Sequence, residues 1–317
     1  MSLSKKEKKE NEIKVVMISA LFAGSTAKFI THPIDTVKAK LQVNYKKNLT
    51  ITVREMVKVI TLNEGIAGFY KGLPVSLIGS LPGSVLYFGS YEFAKKNIIE
   101  KKLTDYNFLN YFISGMFAET IACLVFVPVD IIKERRQVQS NIKTFEYKND
   151  LDALVQIIRK EGVRGIYKAY GATLASFGPL SATQFTIFEK MKGLFVSNDN
   201  TAYLKRIKKE NKDLVKKELT FLESMFCSSI SSGLASIITN PLDLVKMRMQ
   251  VQRAGSNYTA ENAEYKNIIQ GLGVVLRNEG FNGLFKGSIA RALYFIPMGS
   301  LTMTFVEIIK PVVRNMM

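Results

Sequence analysis

Apolar residues gather in six long stretches, roughly 14 to 42, 76 to 98, 109 to 137, 173 to 195, 220 to 250 and 289 to 313, with charge concentrated between them. A helix needs about 20 mostly apolar residues to cross the hydrocarbon core of a bilayer, so each stretch predicts a transmembrane helix. A soluble helical-repeat scaffold would instead show amphipathic stripes with a polar outer face. Six crossings put both termini on one side.

Each odd-numbered stretch closes on the same pattern, HPIDTVKAKLQ at 32 to 42, VPVDIIKERRQVQ at 127 to 139 and NPLDLVKMRMQVQ at 240 to 252. Proline is followed at fixed offsets by aspartate, lysine and glutamine: Pro33, Asp35, Lys38, Gln42; Pro128, Asp130, Lys133, Gln137; Pro241, Asp243, Lys246, Gln250. Three copies of one unit follow from this. Proline removes a backbone hydrogen bond, so a bend is predicted in each helix. Charges near a bilayer are costly unless paired, so three such helices around an axis predict a ring of ion pairs.

A second triple supports the first. NEGIAGFYKG (63 to 72), KEGVRGIYKA (160 to 169) and NEGFNGLFKG (278 to 287) share an acid-glycine start and an aromatic-lysine end, with Ala169 replacing the final glycine once. Glycine turns, terminal backbone amides and Lys71, Lys168 and Lys286, with Gly72 and Gly287, suggest seats for lipid phosphates. Each is followed by an apolar helix that ends in an acid and a lysine: Glu92 with Lys95, Glu189 with Lys192, Glu307 with Lys310. These predict a second ring at the opposite end.

Together these motifs resemble the mitochondrial carrier family across essentially the whole chain. The resemblance implies an all-α membrane protein, six transmembrane helices in a three-fold pseudosymmetric bundle, each repeat with a short matrix-side helix. It implies a matrix-side gate pairing Asp35 with Lys133, Asp130 with Lys246 and Asp243 with Lys38, braced by Gln42, Gln137 and Gln250. A cytoplasmic-side gate would pair Glu92 with Lys192, Glu189 with Lys310 and Glu307 with Lys95; Tyr91 and Phe188 match that signature's aromatic and Val306 departs from it. The expected organisation is a polar basic tail (1–13), repeats at 14–100, 101–195 and 218–317, and a basic linker (196–217). The inner mitochondrial membrane is implied, with both termini on the intermembrane-space side, bound cardiolipin and no other cofactor.

The family pattern places substrate contacts at Gly79 and Ser80, Ser176 and Phe177, and Tyr294 and Phe295, none charged. The nearest cation in this register is Arg291, which could serve a ligand or the bundle. Two further charges fall inside apolar helices, Lys28 in the first and Glu119 in the third. They could bind a zwitterion or neutralise each other. The segments IGSLPGSVLYFGSYEFAK (78 to 95) and AETIACLVFVPVDIIKERRQVQ (118 to 139) resemble the S-adenosylmethionine carrier group, although Lys28 replaces an acid of that group.

Composition narrows the classes. Apolar residues make up 47% and charged ones 22%, with a net charge of +17 that suits an anionic lipid surface. No aromatic-basic module for nucleic acid occurs, and no nucleophile-base-acid constellation, so neither nucleic-acid binding nor enzymatic activity is expected. Cys123, Cys227 and the single His32 lack metal-ligand spacing; the cysteines read as buried thiols and His32 as structural. The leading MSLSKKEKKENEIK is acid-containing and free of arginine, unlike a transit peptide. The expected function is movement of a small metabolite by alternating access. The alternative is a non-transporting structural subunit docked on a respiratory complex, motivated by the uncharged substrate positions, the missing aromatic at Val306 and the lysine-rich run KRIKKENKDLVKK.

Overall fold

The odd and even apolar stretches become long helices, joined within each repeat by a short surface helix. The computed structural model describes residues 5–43, 51–98, 107–142, 146–198, 220–252 and 265–316. Repeat one comprises α1 (Lys5–Gln42), α2 (Val53–Glu64), a 3-10 turn (Ile66–Tyr70) and α3 (Leu73–Ile98). Repeat two comprises α4 (Asn107–Ile142), α5 (Asp150–Ile166) and α6 (Tyr170–Asn198). Repeat three comprises α7 (Phe221–Ile238), α8 (Asn240–Val251), α9 (Ile268–Glu279), α10 (Phe281–Leu284) and α11 (Ser288–Met316). No strand occurs among the described residues. Helix α1 begins inside the expected basic tail, and residues 199–217 of the expected linker lie outside the described residues.

Helix packing runs α1–α3–α4–α6–α7–α11 and back to α1, a closed ring of six. Among the described residues, five stretches are long and apolar enough to cross a membrane. Helix α6 is more polar, because Ser181, Thr183, Gln184 and Thr186 interrupt it. Large apolar side chains such as Phe22, Phe29, Ile78, Val85 and Phe226 stand exposed on the bundle, which suits lipid contact.

The expected bends differ between repeats. Pro33 and Pro128 lie inside continuous helices α1 and α4, whereas the third helix divides at Thr239 (φ −90°, ψ 6°), just before Pro241. The even helices carry their own triple, Pro82, Pro179 and Pro297, each ten residues after Gly72, Ala169 and Gly287.

The surface helices cap the bundle at one end. Thr52, Asn149 and Asn267 each accept a hydrogen bond from a backbone N–H in the first turn of α2, α5 and α9. Their inner faces bury Met56 and Ile60, Ala153 and Ile157, and Val275. Gly65, Gly162 and Gly280, with φ of 65°, 68° and 74°, turn the chain back towards the bundle. Beneath the convergence of the odd helices, Ala39, Val43, Val138, Met247 and Val251 form an apolar plug. Both ends of the described chain lie at the opposite end of the bundle.

Gly72 combines a φ of 77° with close approach, since a Cβ there would lie 2.9 Å from the Lys133 carbonyl oxygen. Gly72→Ala is therefore expected to destabilise the protein by about 1 kcal/mol or more, read as a lower thermal midpoint in detergent.

Candidate functional site

The proline motif sets Asp35, Lys38 and their counterparts on the inward faces of α1, α4 and α8. Lys133 Nζ lies 2.5 Å from Asp35, Lys38 Nζ 3.0 Å from Asp243 and Lys246 Nζ 3.4 Å from Asp130. Each pair joins two repeats, so the ring ties three odd helices at the surface-helix end. Side-chain exposure of 6% for Asp35 and 9% for Lys133 means that water dilutes this attraction little.

The glutamines do not all brace it. Gln42 Nε2 donates to Asp243 at 3.0 Å. Gln137 instead donates to Thr36 Oγ1 at 3.0 Å, and its amide lies 3.4 Å from the His32 ring. Gln250 offers its backbone carbonyl to Arg135, while its side-chain nitrogen has no hydrogen-bond partner among the described residues. Two further charges join the ring. Glu134 lies 3.1 Å from Lys133, and Arg291 Nε 3.1 Å from Asp243. Arg291, a candidate ligand group by sequence, is committed to the bundle: Nη1 donates to the Ser236 carbonyl at 2.6 Å and to Thr239 at 3.1 Å, and the guanidinium stacks on Phe295.

A second set of charges lies outside this ring. Lys40, Arg135 and Arg248, each seven residues after its proline, are buried at 0 to 1% exposure. Each engages the acid that opens the second sequence triple, Glu64, Glu161 and Glu279 respectively. Each also reaches the end of the next odd helix. Arg135 donates to the Gln250 and Gln252 carbonyls, Arg248 to the Gln42 carbonyl, and Lys40 to Ser140 Oγ at 2.6 Å. The fixed spacing from proline was visible in the sequence; the partners, 24 to 31 residues further on in the chain, were not. The expected lipid lysines are drawn in as well. Lys71 Nζ lies 2.5 Å from Glu64 and Lys286 Nζ 2.6 Å from Glu279, and Lys168 is also engaged. Gly72 and Gly287 open α3 and α11 with positive φ.

At the opposite end the expected pairs between helices are absent among the described residues. Lys95 pairs with Glu92 of its own helix at 3.3 Å, and both are exposed. Glu189 and Glu307 are exposed, and neither Lys192 nor Lys310 meets its expected acid. Tyr91 stacks on Tyr87, with ring centroids 6.3 Å apart. The physical reason is distance: an ion pair needs nitrogen and oxygen within 4.0 Å, and at this end no signature lysine comes that close to the signature acid of another helix among the described residues.

Between the two ends lie Lys28 and Glu119, which do not pair with each other. Lys28 Nζ donates to the Ser76 carbonyl at 3.3 Å, and no carboxylate lies within 4.0 Å of it among the described residues. Glu119, 8% exposed, accepts a weak hydrogen bond from Cys123 Sγ at 3.4 Å. Both lie within electrostatic reach of Asp130 of the closed ring. Tyr87 is within electrostatic reach of Glu119, and Tyr294 of Asp35 and Lys133. The buried hydroxyl of Ser76 has no hydrogen-bond partner among the described residues.

The positions expected to contact substrate divide. Gly79 serves packing, because a Cβ there would overlap Val129 of α4. Ser80 and Ser176 donate to carbonyls of their own helices, at 2.9 Å to Leu77 and 2.5 Å to Ala172. Phe177 is half-buried, and Tyr294 and Phe295 meet edge to face. Cys123 and Cys227 are buried and form no disulfide, and no cluster suited to a metal occurs among the described residues.

Comparison with known proteins gives a consistent result. The family model described as "Mitochondrial carrier protein" matches residues 10–102, 104–199 and 217–317. Mitochondrial substrate carrier family protein E of Dictyostelium discoideum is 30% identical, covering 98% of this chain and 99% of that protein. The mitochondrial S-adenosylmethionine carrier proteins of Mus musculus (26% identical, 87% of this chain and 86% of that protein) and Danio rerio (28%, 91% and 92%) are also similar.

Glu64 provides a pH test outside the spanning segments. Burial alone would raise its pKa, but hydrogen bonds from Lys40, Lys71 and Ser140 hold it below the ordinary carboxylate range. A depressed folded-state pKa contributes stability that is full above the unfolded value, about 4.3, and is lost as pH falls through the folded value. Thermal midpoints of the parent are expected to fall across that acidic window, and those of Glu64→Gln to start lower and change less.

Proposed function

The chain belongs to the mitochondrial carrier family, and from that premise we propose that it moves a small zwitterionic metabolite across the inner mitochondrial membrane by alternating access. Carriage of a small metabolite is the family's activity; the zwitterion is the finer reading. One observation supports it above others: Lys28 and Glu119, of opposite charge, both lie in membrane-spanning helices within reach of Asp130 and are not paired with each other. An unpaired charge at membrane depth is costly, and a solute bearing a carboxylate and a cation would relieve both. Lys28 and the Ser76 hydroxyl suit the carboxylate, Glu119 with Tyr87 the cation. An S-adenosylmethionine-like molecule carries both groups, which agrees with the names of several relatives.

In this reading the closed proline ring faces the matrix and the open end, with both termini, faces the intermembrane space. Binding offsets the cost of breaking the proline ring while the opposite ring forms, as repeats rock about a central site. Ser80, Ser176, Phe177, Tyr294 and Phe295 are the further contacts. Transport, not catalysis, is the role. Anionic phospholipid such as cardiolipin would bind at the backbone amides of the turns ending in Gly72 and Gly287. A docked subunit of a respiratory complex has less physical need of buried charges facing a cavity.

The test is uptake by purified protein in liposomes, first of S-adenosylmethionine and then of other zwitterions. Glu119→Gln and Lys28→Ala are each expected to lower uptake by about 10-fold or more. Full activity in both would rule out the site. Extraction in mild detergent as a small monomer is expected, and stoichiometric recovery with respiratory subunits would favour the docked role.

A further inference from the structure

The proline ring holds two charges that the three-fold pattern does not supply. Glu134 follows the signature lysine of repeat two, where repeats one and three have Ala39 and Met247. Arg291 stands four residues after Gly287, where the other repeats have Ser76 and Thr173. Both are buried, at 8% and 2% exposure.

They fall on different corners. Lys133 holds Asp35 at 2.5 Å and Glu134 at 3.1 Å, two carboxylates against one cation. Asp243 Oδ2 holds Lys38 at 3.0 Å and Arg291 at 3.1 Å, two cations against one carboxylate. The third corner, Asp130 with Lys246, keeps one pair at 3.4 Å and is 32% and 19% exposed, against 14% or less for every side chain of the other two. An excess negative charge at one corner thus balances an excess positive charge at another. Besides Lys133, the titratable groups that face Glu134 include Asp35, Lys38, Asp130, Lys246, Lys28 and Tyr294, so the balance belongs to the whole ring.

Building on the alternating-access reading, we propose that Glu134 and Arg291 are a charge-matched pair of positioning residues that double-lock two corners of the ring, leaving Asp130–Lys246 as the corner that yields first. Neither touches the other; they are coupled through the charge of the ring. Loss of one leaves an uncompensated buried charge, which is more costly than loss of the pair. Loss of both restores neutrality.

Thermal unfolding of the full chain in mild detergent tests this without any solute, so its failure is separate from failure of an uptake assay. Glu134→Gln and Arg291→Gln are each expected to lower the midpoint by about 3 °C or more, and Glu134→Asp to stay near the parent. The double variant is expected to lose clearly less than the sum, and Asp130→Asn less than Asp35→Asn or Asp243→Asn. A merely structural role of two residues that do not touch gives additive losses. Additive losses, unchanged midpoints in the singles, or an Asp130→Asn loss equal to the others would overturn the proposal. Should the singles fail to fold, a folded double supports it and an unfolded double overturns it.

Discussion

A charge buried near a bilayer is costly without a partner, and each signature aspartate of this chain finds its lysine on another repeat. That constraint holds the bundle together. Asp35 reaches Lys133, Asp130 reaches Lys246 and Asp243 reaches Lys38, so no repeat satisfies its own signature pair. Lys40, Arg135 and Arg248 apply the same logic one layer out, each binding an acid of its own repeat and the helix end of the next. The apolar plug of Ala39, Val43, Val138, Met247 and Val251 adds burial beneath them. One end of the six-helix ring is therefore tied, and the other is left open.

What a tied end and an open end imply is a cavity between them, and the charges bordering it are its most informative feature. Lys28 and Glu119, between the two ends, have among the described residues no ion-pair partner of the kind that every charge in the ring has found. The ring is a structural device because its charges are satisfied; the cavity is a candidate binding site because its charges are not. This contrast separates two sets of residues that are equally costly to place in a membrane.

Pseudosymmetry is also broken where it matters. The third long helix divides at Thr239 while α1 and α4 run through their prolines. Ala169 stands where Gly72 and Gly287 turn. Glu134 and Arg291 load two corners of the ring and not the third. Three repeats of one ancestral pattern thus give three unequal contacts.

The three copies, the six apolar stretches and the identities of the ring charges were legible in the chain itself, because a pattern repeated at fixed offsets encodes faces and ends of helices. The glycine turns were legible for the same reason, and the surface helices through the family resemblance that these motifs carry. Tertiary structure alone decided who pairs with whom across repeats. It assigned Arg291 to Asp243 instead of a ligand, sent Gln137 to Thr36, and took Lys71 and Lys286 for Glu64 and Glu279. It also decided which of the two rings is closed. The physical reason is that local spacing fixes where a side chain sits on its own helix, while the choice among charged neighbours depends on distances of a few ångströms that exist only once the six helices have packed.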